Sequence, residues 1–538
     1  MSSETKTPVH WGAFFLCVVI SFGQFVGAYE SVIIGSTLQK PDFMRTMGLW
    51  DADGNETPNY SSLEGAITGL FQVGPLLLNI ELLYYHHAGA VFGTIAAAVV
   101  MEKWGRKSGL IFGCVISLVG LAGMTGSQNV AEFLVFRFIS GFGTWACGAS
   151  ASAAIPELAP PSHRGLFAGL NGVMIGLGVA TASYVGMGFY FCENEVASWR
   201  APMGIPLFAP LAILIAIPYL PESPRFLLLK DKPQEARQIF DRLNHPSSSP
   251  EQSSVLNAEF NQMQQQAAYD RLLDGSWKGL FTTKTYRKRI ILACILASLN
   301  QSTGVFVINN YGTTFYKELG FSASSRQLLQ GNRDLLAFLG NFIGSWVVDR
   351  VGRKPLLLFS FAGCFLCILL EGIMVGQYAD TDNTAGKNAG VAFLYIFLAF
   401  YAIGIDVGTY VYLGEMFPNH IRVKGVGLSL ASLNVTAAIY LSVTGIALES
   451  MGWKFFLASH RRRGIELMKY PQIFAVITFV GMIWVAICLP ETRLLPLEEI
   501  EALFGNTSDT MVFITPGPHA GENESSGGEK GMMEHIER

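Results

Sequence analysis

An all-α membrane protein, with twelve transmembrane helices in two six-helix bundles, is the fold class the sequence predicts. Three observations carry it. Only 14% of the 538 residues are charged while 50% are hydrophobic, against about 25% charged in an average soluble protein; so few charges cannot cover a soluble surface of this size. Twelve apolar runs are long enough to cross ~30 Å of hydrocarbon, and they divide six and six. The two sets also carry the same short charged motif at equivalent places, the mark of an internal repeat.

In chain order, the first run, Trp11 to Ile34, is too long for the core of a cleavable signal and reads as span 1. Further spans are expected at about 64–101, 109–126, 131–155, 165–191 and 202–220, then 290–316, 326–348, 355–377, 391–413, 423–449 and 471–489. This gives an N-terminal bundle (1–220), a polar linker (221–289) with helical stretches such as Gln234 to Leu243, a C-terminal bundle (290–492) and a mostly disordered tail (493–538). Lys103, Arg106, Lys107, Arg164, Arg350, Arg353 and Lys354 fall on one side with the linker, which the positive-inside rule makes cytosolic. The linker, tail and both termini are then cytosolic, and the first external loop holds the acceptor sequons Asn55-Glu-Thr and Asn59-Tyr-Ser.

High hydrophobicity and a net charge of −4 exclude a disordered chain and a nucleic-acid binder, and the 8 scattered cysteines read as core residues rather than a disulfide framework or ligands. The repeated motif is Glu102-Lys-Trp-Gly-Arg-Lys107 after span 2 and Asp349-Arg-Val-Gly-Arg-Lys354 after span 8. Its acid can cap a helix and its bases can pair with acids at neighbouring helix ends. Two halves related by such a repeat imply alternating access around a midplane site.

With these motifs the chain resembles the sugar porter family of the major facilitator superfamily, in a form that looks fungal, over about residues 10–505. The most specific match is Pro221-Glu-Ser-Pro-Arg225 after span 6 with Pro490-Glu-Thr-Arg493 after span 12. Arg137, Gly141 and Gly143 on span 4, Glu157 with Arg164-Gly165, Glu415-Met-Phe-Pro418 with Arg422, and the ending Leu497-Glu-Glu-Ile-Glu-Ala-Leu-Phe504 also match. The resemblance implies a cytosolic gate of Glu157, Arg164, Glu415 and Arg422; acids and bases facing across a moving interface can pair in one state and hydrate in the other. The alternative is ordinary solvated loop charge.

The resemblance also implies a sugar site on spans 5, 7 and 10, where hydroxyls need donor–acceptor side chains and the sugar's C–H face needs an aromatic. The candidates here are Asn300, Gln301, Asn310, Tyr311, Tyr410 and Asn171. Several depart from the family pattern: Phe306 replaces an Asn, Asn310 replaces a Tyr, Tyr410 stands at a Trp position, and Gly172 takes the span 5 Gln position beside Asn171. A sugar-like polar ligand is expected, with glucose itself in doubt.

Tyr29-Glu30 on span 1 stands where proton symporters of the family carry Tyr-Asp. A carboxylate inside an apolar helix is costly when ionised, so Glu30 is the candidate to load and release a proton, with Arg137 as its partner. The alternative is a permanent Glu30–Arg137 salt bridge. Tyr29 reads equally as a packing aromatic or a ligand, and Asp406 as a second coupling acid or a cap near the outer helix end.

Two segments interrupt the family pattern. Span 2, at ~57 Å for its run of 64–101, exceeds one crossing. Without Val73 to Ala88, Phe71-Gln72 joins Gly89-Ala-Val-Phe-Gly93 and restores the pattern; Leu457 to Tyr470, with Arg461-Arg-Arg463, is a similar excess before span 12. A translated intron explains both. Were they genuine outer insertions, His86-His87 would lie on a loop as a weak metal-site candidate.

The expectation is therefore a transporter in the plasma membrane that carries a sugar or polyol by proton-coupled symport. It would engage protons and membrane lipid, with no nucleic acid, metal or cofactor. A facilitator, a carrier of a quinate-like acid and a non-transporting sensor are the alternatives; no nucleophile–base arrangement suggests an enzyme.

Overall fold

The computed structural model describes residues 11–37, 40–48, 50, 85–160, 163–192, 194–244, 250–318, 321–378, 381, 383–451, 471–493, 495 and 500. Among these, regular structure is helical, and twelve helices take the places expected of the spans: α1 (Trp11–Thr37), α2 (Tyr85–Trp104), α3 (Arg106–Gly126), α4 (Val130–Leu158), α5 (Arg164–Tyr190), α6 (Val196–Tyr219), α7 (Lys284–Ser302 continued by Val305–Glu318), α8 (Ala323–Val351), α9 (Arg353–Tyr378), α10 (Thr384–Glu415), α11 (Arg422–Met451) and α12 (Pro471–Cys488). Nine are long and apolar enough to cross a membrane and α12 is a shorter apolar helix. By hydropathy α2 and α8 fall below that standard.

Local chemistry sets the helix ends. Asn129, Asn194, Ser322 and Asn383 each accept a backbone N–H three residues on, at the starts of α4, α6, α8 and α10. The two repeated motifs make the tight α2–α3 and α8–α9 turns through Gly105 (φ 98°) and Gly352 (φ 106°), where only glycine is unstrained. Their helices are capped from a distance: Glu222 accepts from the backbone N–H groups of Arg106 and Lys107, and Glu491 from those of Arg353 and Lys354. The motif's own acids do other work. Asp349 caps α5 by accepting from Gly165 N (3.0 Å) and Leu166 N (2.8 Å) of the opposite bundle, and Glu102 Oε1 meets Lys424 Nζ at 2.6 Å.

The bundles meet along two seams, α5 against α8 and α2 against α11. Small residues allow the approach: a Cβ on Gly169 would press on Ser345, and one on Gly176 on Phe338 and Asn341. Between the bundles, helices Pro224–Leu229, Pro233–Asn244 and Pro250–Asp270 form a small unit around Leu227, Leu228, Phe240, Phe260 and Met263, while Trp277–Thr282 leads into α7 with Leu280 in the C-terminal core. Five of the cysteines, Cys17, Cys114, Cys147, Cys364 and Cys367, are buried among apolar side chains, as expected of core residues.

The placement of His86-His87 on an outer loop is corrected. Both lie inside α2 and are buried, 4% and 5% exposed, and no metal-holding cluster is found among the described residues. Described structure in span 2 begins at Tyr85, and the expected start at 64 lies outside the described residues. The sequons, Val73 to Tyr84, Leu457 to Tyr470 and the tail beyond Ile500 lie outside the described residues.

His86 bears on the intron reading. Both its ring nitrogens are buried without a hydrogen-bond partner among the described residues, a cost of about 1–3 kcal/mol. Deleting 73–88 moves Leu70 to the helical position of His86 and Phe71 to that of His87. The same deletion gives up the His87 hydrogen bond to Asn434, a loss of similar size, so uptake is the readout: the chain lacking both 73–88 and 457–470 is expected to exceed the full-length chain. Full uptake by the long form, with both segments retained in sequenced transcripts, would make them real structure.

Candidate functional site: a central cavity and its charged gate

A cavity of about 100 Å³ lies at mid-depth between the bundles, a setting in which small-molecule sites form between helices. The N-terminal bundle contributes Gln24, Ser31, His87, Thr144 and Trp145; the C-terminal bundle contributes Asn300, Gln301, Phe306, Asn309, Asp334, Asn341, Tyr401, Asp406, Tyr410 and Asn434. Two local breaks shape its C-terminal wall. α7 interrupts at Gly304 (φ 86°), and α10 opens into a π-turn at Tyr401–Asp406, a distortion that often marks functional sites.

Asn300, Gln301 and Tyr410, expected from sequence, line this cavity. Asn300 is fixed by Tyr401, whose hydroxyl donates to its Oδ1 at 2.8 Å. Gln301 Oε1 and Trp145 Nε1–H are buried without a hydrogen-bond partner among the described residues; a ligand hydroxyl can satisfy either, donating to the first and accepting from the second. Asn171 is not brought to the cavity. It sits at 1% exposure with Nδ2 donating to Ala168 O, because one residue along a helix is a turn of about 100°. The side chains of Asn310 and Tyr311 lie outside the described residues, and Asn309, one position earlier, reaches the cavity.

Replacing Gln301 or Tyr410 by Ala should weaken solute binding by roughly 1–3 kcal/mol each, the cost of a buried hydrogen-bond partner lost. Transport KM checks this, and an unchanged KM in both variants would remove the two from the site.

Sequence reasoning missed Asn341, Asp334, Gln24, Asn434 and Trp145. Arg333-Asp334 was the available signal, since adjacent ionisable residues in a span rarely lack a role. The pair is fully buried, 3.0 Å apart, and Asp334 accepts from Ser183 of α5 at 2.5 Å. Across the second seam His87 Nδ1 meets Asn434 Oδ1 at 3.1 Å. Asn434 Nδ2 already donates to Leu430 O, so Oδ1 is the acceptor and His87 the donor.

Glu30 is buried on α1 and accepts from Ser140 on α4, while its Oε2 has no hydrogen-bond partner among the described residues. Arg137 is also buried and attracts it electrostatically, yet no direct ion pair joins the two among the described residues. The permanent salt bridge weighed from sequence is therefore absent in this conformation. Tyr29 is a packing residue: its hydroxyl donates to Pro202 O at 2.8 Å. Asp406 lines the cavity at the π-turn instead of capping an outer helix end.

At the basic end lies a buried charge network. Glu157 binds Arg106 through both oxygens (2.7 and 2.8 Å) and reaches Arg422 of the other bundle at 3.4 Å. In the C-terminal half Glu415 binds Arg353 (2.7 Å) and Thr492 (2.8 Å), and Arg353 also meets Asp349 at 3.0 Å. Arg106 and Arg353 occupy the same place in the two repeats, as do Glu222 and Glu491. Of the expected gate residues, Glu157, Glu415 and Arg422 join this network; Arg164 donates to Leu495 O.

Comparison with known proteins agrees with this architecture. The MFS-type transporter criB of Aspergillus cristatus is 25% identical over 490 residues, covering 90% of this chain and 92% of that protein. The high-affinity hexose transporter HXT6 of Saccharomyces cerevisiae is 28% identical (91% and 81% covered), and a probable quinate permease of Aspergillus flavus 26% (93% and 89%). Among solved structures the proton:xylose symporter XylE, bound to 6-bromo-6-deoxy-D-glucose, superposes with a TM-score of 0.77 at 18% identity over 92% of this chain and 100% of its own. The family model described as Sugar (and other) transporter matches residues 16–504, and the chain belongs to that family of multi-pass membrane transporters.

Proposed function

We propose that this protein moves a sugar or sugar-like polyhydroxy solute across the plasma membrane by alternating access, as a proton symporter, without chemistry on the solute. The observation that carries the reading is the interbundle cavity, whose walls offer amide, hydroxyl and indole groups for hydroxyls and the Trp145, Phe306 and Tyr410 rings for an apolar sugar face. Solute is held by Gln301, Asn300, Asn309 and Tyr410, with Asn310 and Tyr311 following on the same helix. Glu30, with Arg137 near it, carries the proton. Glu157, Glu415, Arg422 and Arg164, with Arg106 and Arg353, hold the basic end shut, and the basic-loop rule makes that end cytosolic. The domain limits follow: bundles at 1–220 and 290–492, a cytosolic linker at 221–289 and a cytosolic tail at 493–538.

The hexose transporter and the proton:xylose symporter among its relatives support a sugar and a proton; the quinate permeases support an acid as the second reading. Uptake of labelled sugars, polyols and organic acids by transporter-deficient cells expressing the chain tests it. Uptake of a sugar or polyol with concurrent external alkalinisation is expected. Uptake without proton movement replaces symport by facilitation, and no uptake of any probe removes the transport reading.

A further inference from the structure

The charge balance of the cavity goes further than its polarity. Among the described residues its lining holds two carboxylates and no lysine or arginine. Asp334 is matched by Arg333, its buried ion-pair partner. Asp406 has no such partner: among the described residues it forms no ion pair, and its Oδ2 accepts a single hydrogen bond from Asn341 Nδ2 at 2.9 Å. The same Asn341 nitrogen donates to Gly172 O of the opposite bundle at 2.8 Å. Both of these partners are acceptors, so the amide orientation is fixed and Asn341 Oδ1 is the atom left over, buried and without a partner among the described residues. Tyr401 and Tyr410, the nearest titratable side chains on α10, are neutral groups.

This part of the wall therefore presents acceptors, Asn341 Oδ1 and Asp406, to whatever fills the cavity. A hydroxyl can donate to either. A carboxylate has no proton to give and would add a second anion with no cation to offset it, so it enters only after a proton is placed between the two acids.

We propose that Asp406, aimed by Asn341, is a specificity-determining residue that admits uncharged polyhydroxy solutes and excludes their carboxylate counterparts, hexuronates and quinate-like acids. This rests on reading the cavity as the solute site. It reverses what the quinate permeases among the relatives would suggest.

The test uses the full chain in transporter-deficient cells, with a labelled hexose and hexitol as neutral probes and a hexuronate and quinate as acids. The wild type should carry a neutral probe at least ~tenfold faster than either acid, and excess acid should leave neutral uptake unchanged. Asp406→Asn retains an oxygen for Asn341 but removes the charge, and should narrow the neutral-to-acid ratio by about tenfold; Asp406→Glu should keep the wild-type ratio. Acid uptake equal to neutral uptake, competition by the acids in the wild type, or an unchanged ratio in Asp406→Asn overturns the assignment while transport stands. The wild-type competition decides even if the Asn variant fails to reach the membrane. Failure of every neutral probe to enter overturns the transport reading itself, and the assignment with it.

Discussion

Glu30→Gln should abolish accumulation of solute against a gradient while exchange of internal for external solute continues. Glutamine is the same size and can still accept the Ser140 hydroxyl that Glu30 accepts, so the helix packing survives. What it lacks is a site that gains and loses a proton, and without that site a downhill proton gradient has no means of driving the solute uphill. The geometry favours this role. A permanent bidentate pair with Arg137 would hold the carboxylate ionised through the cycle, whereas here no direct ion pair joins them and one carboxylate oxygen is unpartnered among the described residues. Arg137 is close enough to attract the ionised form without locking it. The measurement is the steady-state ratio of internal to external solute, expected to fall to unity, with substrate-dependent proton uptake lost in parallel. A variant that still accumulates solute would move the coupling site away from Glu30.

The sequence revealed the twelve-helix frame where a span's outer face meets lipid, because such helices must be apolar over a whole crossing. The run at 326–348 was legible as a span as well, although α8 carries Arg333, Asp334 and Asn341, buried against α5 and α7, which lower its hydropathy. The repeated acid-x-x-Gly-Arg-Lys motif gave the gate's bases, but the acids that cap those helices, Glu222 and Glu491, lie over a hundred residues away and are joined to them only by folding.

The same limit applies in the cavity. Gln301, Asn300 and Tyr410 were legible because they stand at span 7 and span 10 positions that the family resemblance carries over. Asn171 was misassigned by one residue of helical register, enough to turn it away from the cavity. Asn341 could not be singled out, since its importance lies in bridging Gly172 of one bundle and Asp406 of the other.

Glu157→Ala should have the largest effect on stability. Its carboxylate is the shared partner of Arg106 and Arg422, and the relevant side chains are 5% exposed or less. Removing one member of a buried ionic group costs about 3–5 kcal/mol, because the remaining charges stay desolvated without compensation; here two guanidiniums lose it at once. Arg422→Ala is the informative companion. It removes the contact that crosses the bundles, at 3.4 Å, and leaves the 2.7 Å Arg106–Glu157 pair within the N-terminal bundle intact. The two variants should therefore separate. Glu157→Ala should lower the melting temperature sharply, while Arg422→Ala should melt closer to the wild type but populate the state open at the basic end, read by thiol labelling of a cysteine introduced beneath the gate. A bond that breaks in each cycle contributes to the closed state alone, whereas the pair within one bundle contributes to both. If Arg422→Ala labels no faster than the wild type, Glu157 is a structural ion pair of the N-terminal bundle, and the closing contact lies instead with Asp349, whose carboxylate caps α5 across the α5–α8 seam.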